Sequence, residues 1–294
     1  MDDKMEKRNE NQLIELIEFT DPYCTWCWGS EPVLRKIKEV YGNQVKIGFT
    51  MGGLVKDITE FYDSLNRIGG KDWNKQVAKH WLEASAAHGM PVDERVFSDK
   101  GNAFTSTYPA NIAVKAAEFQ GTEKAAKFLR RLREAAAAEN KQIHKESVQA
   151  ELAAEVGLDV SRFREDLKSG RASTAFNEDL ELCREYGVTG FPTFLIKDGE
   201  SSVKLVRGYH PFEHFEKLFQ ELSPNIKQRK PEFSKENTLK FVRKYGKVAT
   251  AEVAVLFGIT KAQAHKSLEE LKKEENIYQV EAGNDFFWTT RVSD

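Results

Sequence analysis

Two cysteines three positions apart, in "DPYCTWCWGSEP" (residues 21–32), constrain this chain more than any other feature. Only three cysteines occur among 294 residues, so a structural disulfide framework does not explain the pair. The pair follows "LIELIEF" (13–19), a short apolar run that reads as a buried strand. Next comes "EPVLRKIKEVYG", with Val33, Ile37 and Val40 at helical spacing and Gly42 placed to end the helix. "QVKIGFTM" then alternates Val45, Ile47, Phe49 and Met51, the period of a half-buried strand. Residues 13–51 thus form a βαβ unit, expected to be parallel and right-handed. The cysteines lie where a strand hands over to a helix.

That position gives the spacing a chemical meaning. A Cys24 thiol at a helix tip faces unpaired N–H groups and the positive end of the helix dipole, which lowers a thiol pKa below its usual ~8.5. The thiolate attacks a disulfide, and Cys27, one helical turn on, resolves the mixed disulfide. A zinc site would need two further ligands. The candidates, His210 and His214 in "HPFEH", are remote in sequence and read more simply as exposed histidines at a helix start. Chance burial of two small thiols fits poorly with a strand before them and a helix after. Dithiol exchange is the expectation, with no metal and no cofactor.

From about 58 to 186, alanine-rich amphipathic stretches such as "ANIAVKAAEF" and "TEKAAKFLRRLREAAAAE" predict a large helical block. Cys183 falls with Phe176 and Leu180 on one helical face and is read as a buried core thiol. "GFPTFLIKDGESSVKLVRGY" predicts a hairpin around Lys-Asp-Gly. "PFEHFEKLFQEL" then sets Phe212, Phe215, Phe219 and Leu222 in an apolar stripe. A polar linker at 223–235 precedes a C-terminal unit at 236–294, where three helix candidates and a hairpin around Ala-Gly-Asn-Asp suggest a winged-helix arrangement.

Strand, Cys-x-x-Cys at a helix tip, strand, helical insertion, and Gly-Phe-Pro before a hairpin and helix resemble the thioredoxin fold of the DsbA family. "DPYCTWCWGSEP" and "MGGL" (51–54) are most similar to its cytoplasmic FrnE-like branch. The resemblance covers residues 13 to about 222. It implies an α/β fold, a thioredoxin fold with a large helical insertion, with Cys24 as nucleophile and Cys27 as resolving thiol. It further implies that Pro192 is a cis-proline facing the pair. The Phe191 backbone would then lie beside the sulfurs and pair with an extended substrate. Glu18, six residues before Cys24, matches a buried carboxylate that accepts the resolving thiol's proton in this family. Its plain alternative is a solvent-facing strand residue. Pro32 matches a helix-kinking proline. Trp26 and Trp28 are expected to shield the disulfide and contact substrate, with burial in the core as the alternative for Trp28. The inner dipeptide, Thr25-Trp26, departs from the Pro-containing pairs of the oxidising relatives. The direction of exchange, and whether the substrate is a protein disulfide or a low-molecular-weight thiol, therefore stay open.

Charge narrows the partners. The net charge of −2 provides no global field for nucleic acid or a membrane surface, and no apolar run approaches the ~20 residues of a membrane span. The N-terminal "MDDKMEKRNENQ" lacks the apolar stretch of a secretory signal, so a cytoplasmic location is expected. In "TKAQAHKSLEELKKEE" four lysines alternate with Glu269, Glu270, Glu274 and Glu275. A phosphate-reading helix would not mix in acids this way, so contact with a protein partner or a second copy is the expected use and DNA binding the minor option. A rival class also stands: some thioredoxin-like proteins of Gram-positive bacteria are protease adaptors with a DsbA-like body and a C-terminal appendage.

Overall fold

The computed structural model describes residues 13–98, 104–199 and 202–290; the charged tail expected at 1–12 lies outside them. Strand β1 (Ile14–Thr20) leads through α1 (Thr25–Tyr41) to β2 (Val45–Met51), which pairs with β1 in parallel, Ile14 opposite Val45 and Thr20 opposite Met51. This is the βαβ unit read from periodicity. A two-residue hairpin, β3 (Tyr62–Asp63) and β4 (Ile68–Gly69), then opens the insertion. Six helices follow it: α2 (Trp73–His88), α3 (Tyr108–Glu118), α4 (Thr122–Ala138), α5 (Glu146–Glu155), α6 (Val160–Lys168) and α7 (Arg171–Glu185). The chain returns as β5 (Thr193–Asp198), antiparallel to β1, then β6 (Ser202–Arg207) and α8 (Phe212–Leu222). The sheet order β2-β1-β5-β6 joins both halves into one four-stranded sheet.

Side-chain periodicity explains the layering. The predicted stripe on α8, Phe212, Phe215, Phe219 and Leu222, is buried against Val33, Ile37 and Val40 of α1 and against Leu16, Phe194 and Ile196 of the sheet. Each fully buried aromatic there contributes about 1.5–3 kcal/mol. Alanines dominate the insertion core, with Ala113, Ala116 and Ala117 of α3 and Ala135 and Ala136 of α4 fully buried. Such small side chains let helices approach one another closely.

The C-terminal unit contains α9 (Lys235–Tyr245), β7 (Lys247–Ala249), α10 (Thr250–Phe257), α11 (Lys261–Lys273), β8 (Tyr278–Ala282) and β9 (Asp285–Thr289). Its strands form an antiparallel sheet in the order β7-β9-β8. The connection read as a polar linker is tied down: the Arg229 N–H donates to the Val40 carbonyl at 2.8 Å, and Gln44 bonds both ways with the Lys227 backbone. The unit also shares a core with the insertion, since Ala249, Ala251, Ala282 and Phe287 pack in the same cluster as Trp28, Trp81 and Met90. Its hairpin turn docks on residues 92–93. Gly283, at φ +53°, comes so close that a Cβ would lie 2.1 Å from the Val92 carbonyl oxygen. Asn284 donates its N–H to that oxygen and accepts the Val92 N–H through Oδ1.

Candidate functional site

The turn from β1 into α1 is built on Asp21. Its carboxylate is fully buried and accepts the N–H groups of Tyr23 (2.8 Å) and Leu54 (2.7 Å) and the Asn111 side-chain amide (2.8 Å). Burial raises the Asp21 pKa, with these donors opposing the shift. Asp21 thus ties the cysteine turn to the "MGGL" segment. Gly52 there lets the segment slide under Phe191, whose ring occupies the space a Cβ would need.

Cys24 is the N-cap residue of α1. Its Sγ accepts the Cys27 N–H at 3.3 Å, so one of the unpaired donors of the helix end points at the sulfur. Opposite, the Cys24 thiol donates to the Phe191 carbonyl at 3.4 Å. The Phe191–Pro192 peptide is cis. Both thiols are free; Cys24 is 5% exposed and Cys27 0%. Burial pushes the Cys27 thiol well up, the hydrogen bond and charge of Cys24 and the nearby Glu18 add to this, and Arg133 opposes. Trp26 is half-buried at the rim, its ring against His80, His88 and Tyr209.

Glu18 is 0% exposed, which removes the solvent-facing alternative. Burial lifts its carboxyl to about 7 despite the Arg133 guanidinium at 2.9 Å. Arg133 cannot hold Glu18 lower because it is shared: it also donates to Thr20 and to Glu31. Burial would raise Glu31 as well, but Arg133, Arg130 and Arg35 overcome it and hold Glu31 at about 2. Two buried carboxyls against one helix therefore differ by several units.

Trp28 requires a correction as a substrate contact. It lies 1% exposed, one turn past Cys24 on the inner face of α1, and its Nε1–H donates to the Pro91 carbonyl at 2.8 Å. Arg130 sits 4.5 Å over its ring and Phe287 meets it edge-on, so its shielding role is exercised from within the core. Cys183 is buried beside Phe19 and Leu195, and burial, with Asp179 nearby, pushes its thiol up to about 11. The His210 and His214 rings stack on each other, 4.1 Å between centroids.

A thioredoxin family model matches residues 18–217, spanning Glu18, both cysteines and the Phe191–Pro192 step. The chain belongs to the thioredoxin family. Its relatives divide by extent. The ClpXP adapter protein SpxH of Halalkalibacterium halodurans is 30% identical over 96% of this chain and 90% of its own length. Among solved structures, a putative protein disulfide isomerase from Nitrosomonas europaea superposes with a TM-score of 0.61 at 22% identity, covering 71% of this chain and 97% of that one. The cytosolic disulfide reductase DsbM from Pseudomonas aeruginosa, solved also with GSH, gives a TM-score of 0.53 at 25% identity over 66% and 89%. The thioredoxin-family body of this chain, with its helical insertion, therefore has the architecture of DsbA-type oxidoreductases.

Arg133, Glu31 and Arg130 escaped the sequence reading. The signal was present: Arg133 stands four residues after Leu129, inside the apolar stripe Ala125, Phe128, Leu129, Leu132 and Ala136. A cation in such a stripe points inward and needs a buried acid.

Proposed function

We propose that the chain is a thiol–disulfide oxidoreductase acting through Cys24 and Cys27. The Cys24 thiolate attacks one sulfur of a substrate disulfide; a mixed disulfide forms and the other substrate sulfur leaves as a thiolate that takes up a proton. Cys27 then gives its proton to the Glu18 carboxylate and attacks the Cys24 sulfur. The second substrate sulfur is expelled and the Cys24–Cys27 disulfide is left. The same steps reverse when the pair oxidises a dithiol. Phe191 offers its backbone to an extended substrate beside the sulfurs, and Trp26 supplies an apolar rim.

The observation that carries this reading is the Cys24 sulfur at the helix N-cap, receiving the Cys27 N–H with the Phe191 carbonyl opposite. The GSH seen with DsbM makes a low-molecular-weight thiol a fitting second substrate class beside protein disulfides. Reduction of insulin disulfides and exchange with oxidised glutathione test it. Cys24→Ser should fall to the uncatalysed background and Glu18→Gln should slow turnover by roughly 100-fold or more, in the range of a lost proton acceptor. Full activity in Cys24→Ser would end the proposal.

A second reading is favoured by one observation. The similarity to the ClpXP adapter SpxH runs through the C-terminal unit, which the disulfide-enzyme structures do not cover to the same extent. On this reading the chain delivers a protein partner to ClpXP through contacts that need no thiol chemistry. Degradation assays with ClpXP and a candidate substrate protein decide: unchanged acceleration by a Cys24→Ser/Cys27→Ser double variant supports the adaptor, and loss of acceleration ties delivery to the dithiol.

A further inference from the structure

A continuous run of buried ion pairs leads from the resolving cysteine to the C-terminal unit. Glu18 of β1, beside Cys27, pairs with Arg133 of α4; Arg133 pairs with Glu31 of α1; Arg130 reaches Glu31 at 3.4 Å. Arg130 then grips Glu252 of α10 with two bonds, Nη1 to Oε1 at 2.8 Å and Nη2 to Oε2 at 3.1 Å, and donates Nε–H to Glu134. Arg35 of α1 completes the far end, 2.8 Å from the same Glu252 oxygen. Glu18, Glu252 and Arg133 have no exposed surface. A second contact runs in parallel, since Phe287 of β9 and Arg130 flank Trp28, the residue after Cys27.

The charges along the run are shared. Arg35, Arg130 and Arg133 face Glu31, Glu134 and Glu252, and Glu134 is also reached by Lys247 at 3.5 Å and Arg131 at 3.9 Å, both shared with Glu139. Glu18 is faced by Arg133 from α4, by Glu31 and Cys27 from α1, and by Thr20 from its own strand. Any negative charge arising at Glu18 or Cys27 acts on Arg133 first, and on the rest of the run through it. Whether the protein tolerates it depends on how strongly the arginines are already engaged, and Glu252 engages two of them. In a buried run such effects carry further than in water.

Building on the dithiol reading, we infer that Glu252 of the C-terminal unit is a positioning residue that tunes the redox equilibrium of the Cys24–Cys27 pair through Arg130, Glu31 and Arg133. It touches no substrate. By reciprocity, a partner that pulls on α10 alters the dithiol, and the state of the dithiol alters how the unit is held. The sign follows from electrostatics. The reduced pair can hold a thiolate that the oxidised pair lacks. Removing the Glu252 charge frees positive charge toward that end and favours the reduced form; removing the Arg130 charge does the opposite.

The test equilibrates the full chain with glutathione buffers, in which two protein thiols and one oxidised glutathione give the Cys24–Cys27 disulfide and two reduced glutathiones. Glu252→Gln should shift this equilibrium constant toward the reduced protein by roughly three- to tenfold, about 15 to 30 mV for a two-electron couple. Arg130→Gln should shift it by a similar factor the other way, and the double variant should return near the wild type. Should Arg130→Gln fail to fold, Arg35→Gln removes a cation from the same carboxylate and carries the same expectation. Shifts of the same sign in both single variants would show loosened packing and overturn the proposal, as would no shift in either. A wild type that forms no Cys24–Cys27 disulfide at any glutathione ratio would instead sink the dithiol reading itself, and this inference with it.

Discussion

Glu18 and His88 tie stability to pH with opposite signs. His88 packs so tightly under α1 that a Cβ on Gly29 would overlap its ring. Burial, and then Lys261, lower it to about 4 from an ordinary 6.5. Between those values the unfolded chain binds more protons, so this part of the stability is lost as pH falls. Glu18 runs the other way. Lifted to about 7 from 4.5, it contributes stability that is present below pH 4.5 and lost as pH rises through 7. Between pH 7 and 5 each is worth about 2 kcal/mol. On acidification from 7 to 5, urea melts of His88→Gln should therefore lose less stability than wild type, or gain more, and those of Glu18→Gln should deviate the opposite way. Equal slopes in all three proteins would mean that neither group titrates as its burial implies. At this scale the sequence disclosed the cysteines, because their spacing is chemical, but not their charged surroundings. Which acid meets Arg133 is decided by the crossing of α4 over β1, a tertiary fact.

Elements with a clear period were legible. β1, α1 and β2 lie where alternation and helical spacing put them, as do the β5–β6 hairpin and the stripe on α8. The pieces that were not legible are short: β3 and β4 have two residues each and β7 has three, too few to show a period. The hairpin turn of the C-terminal unit was visible as Ala-Gly-Asn-Asp, but its docking on Val92 was not. Gly283 is the test of that contact. Gly283→Ala places a methyl into the Val92 carbonyl at a left-handed φ, and a loss of about 2–4 kcal/mol is expected in denaturant titration. A loss under about 0.5 kcal/mol would mean that the turn does not sit on the insertion as described.

At the scale of the molecule, the insertion and the C-terminal unit share one core and one ion network. Unfolding followed by tryptophan fluorescence and by far-ultraviolet circular dichroism should accordingly give coincident transitions; two separate transitions would show that the unit melts alone. The sequence suggested an appended module behind a linker because composition marks polar connections, whereas burial of Glu252 and Phe287 against the body depends on how the surfaces meet. No helix among the described residues is long and apolar enough to cross a membrane. What the molecule organises is a pair of thiols with unequal access, Cys24 at the helix tip and Cys27 sealed behind it. The most direct test incubates Cys27→Ser and Cys24→Ser separately with oxidised glutathione and maps adducts by mass spectrometry. A persistent adduct on Cys24 in the first variant, with Cys27 of the second unmodified on the same timescale, is the expected result. Equal modification of both sulfurs, or adducts on Cys27 alone, would contradict it.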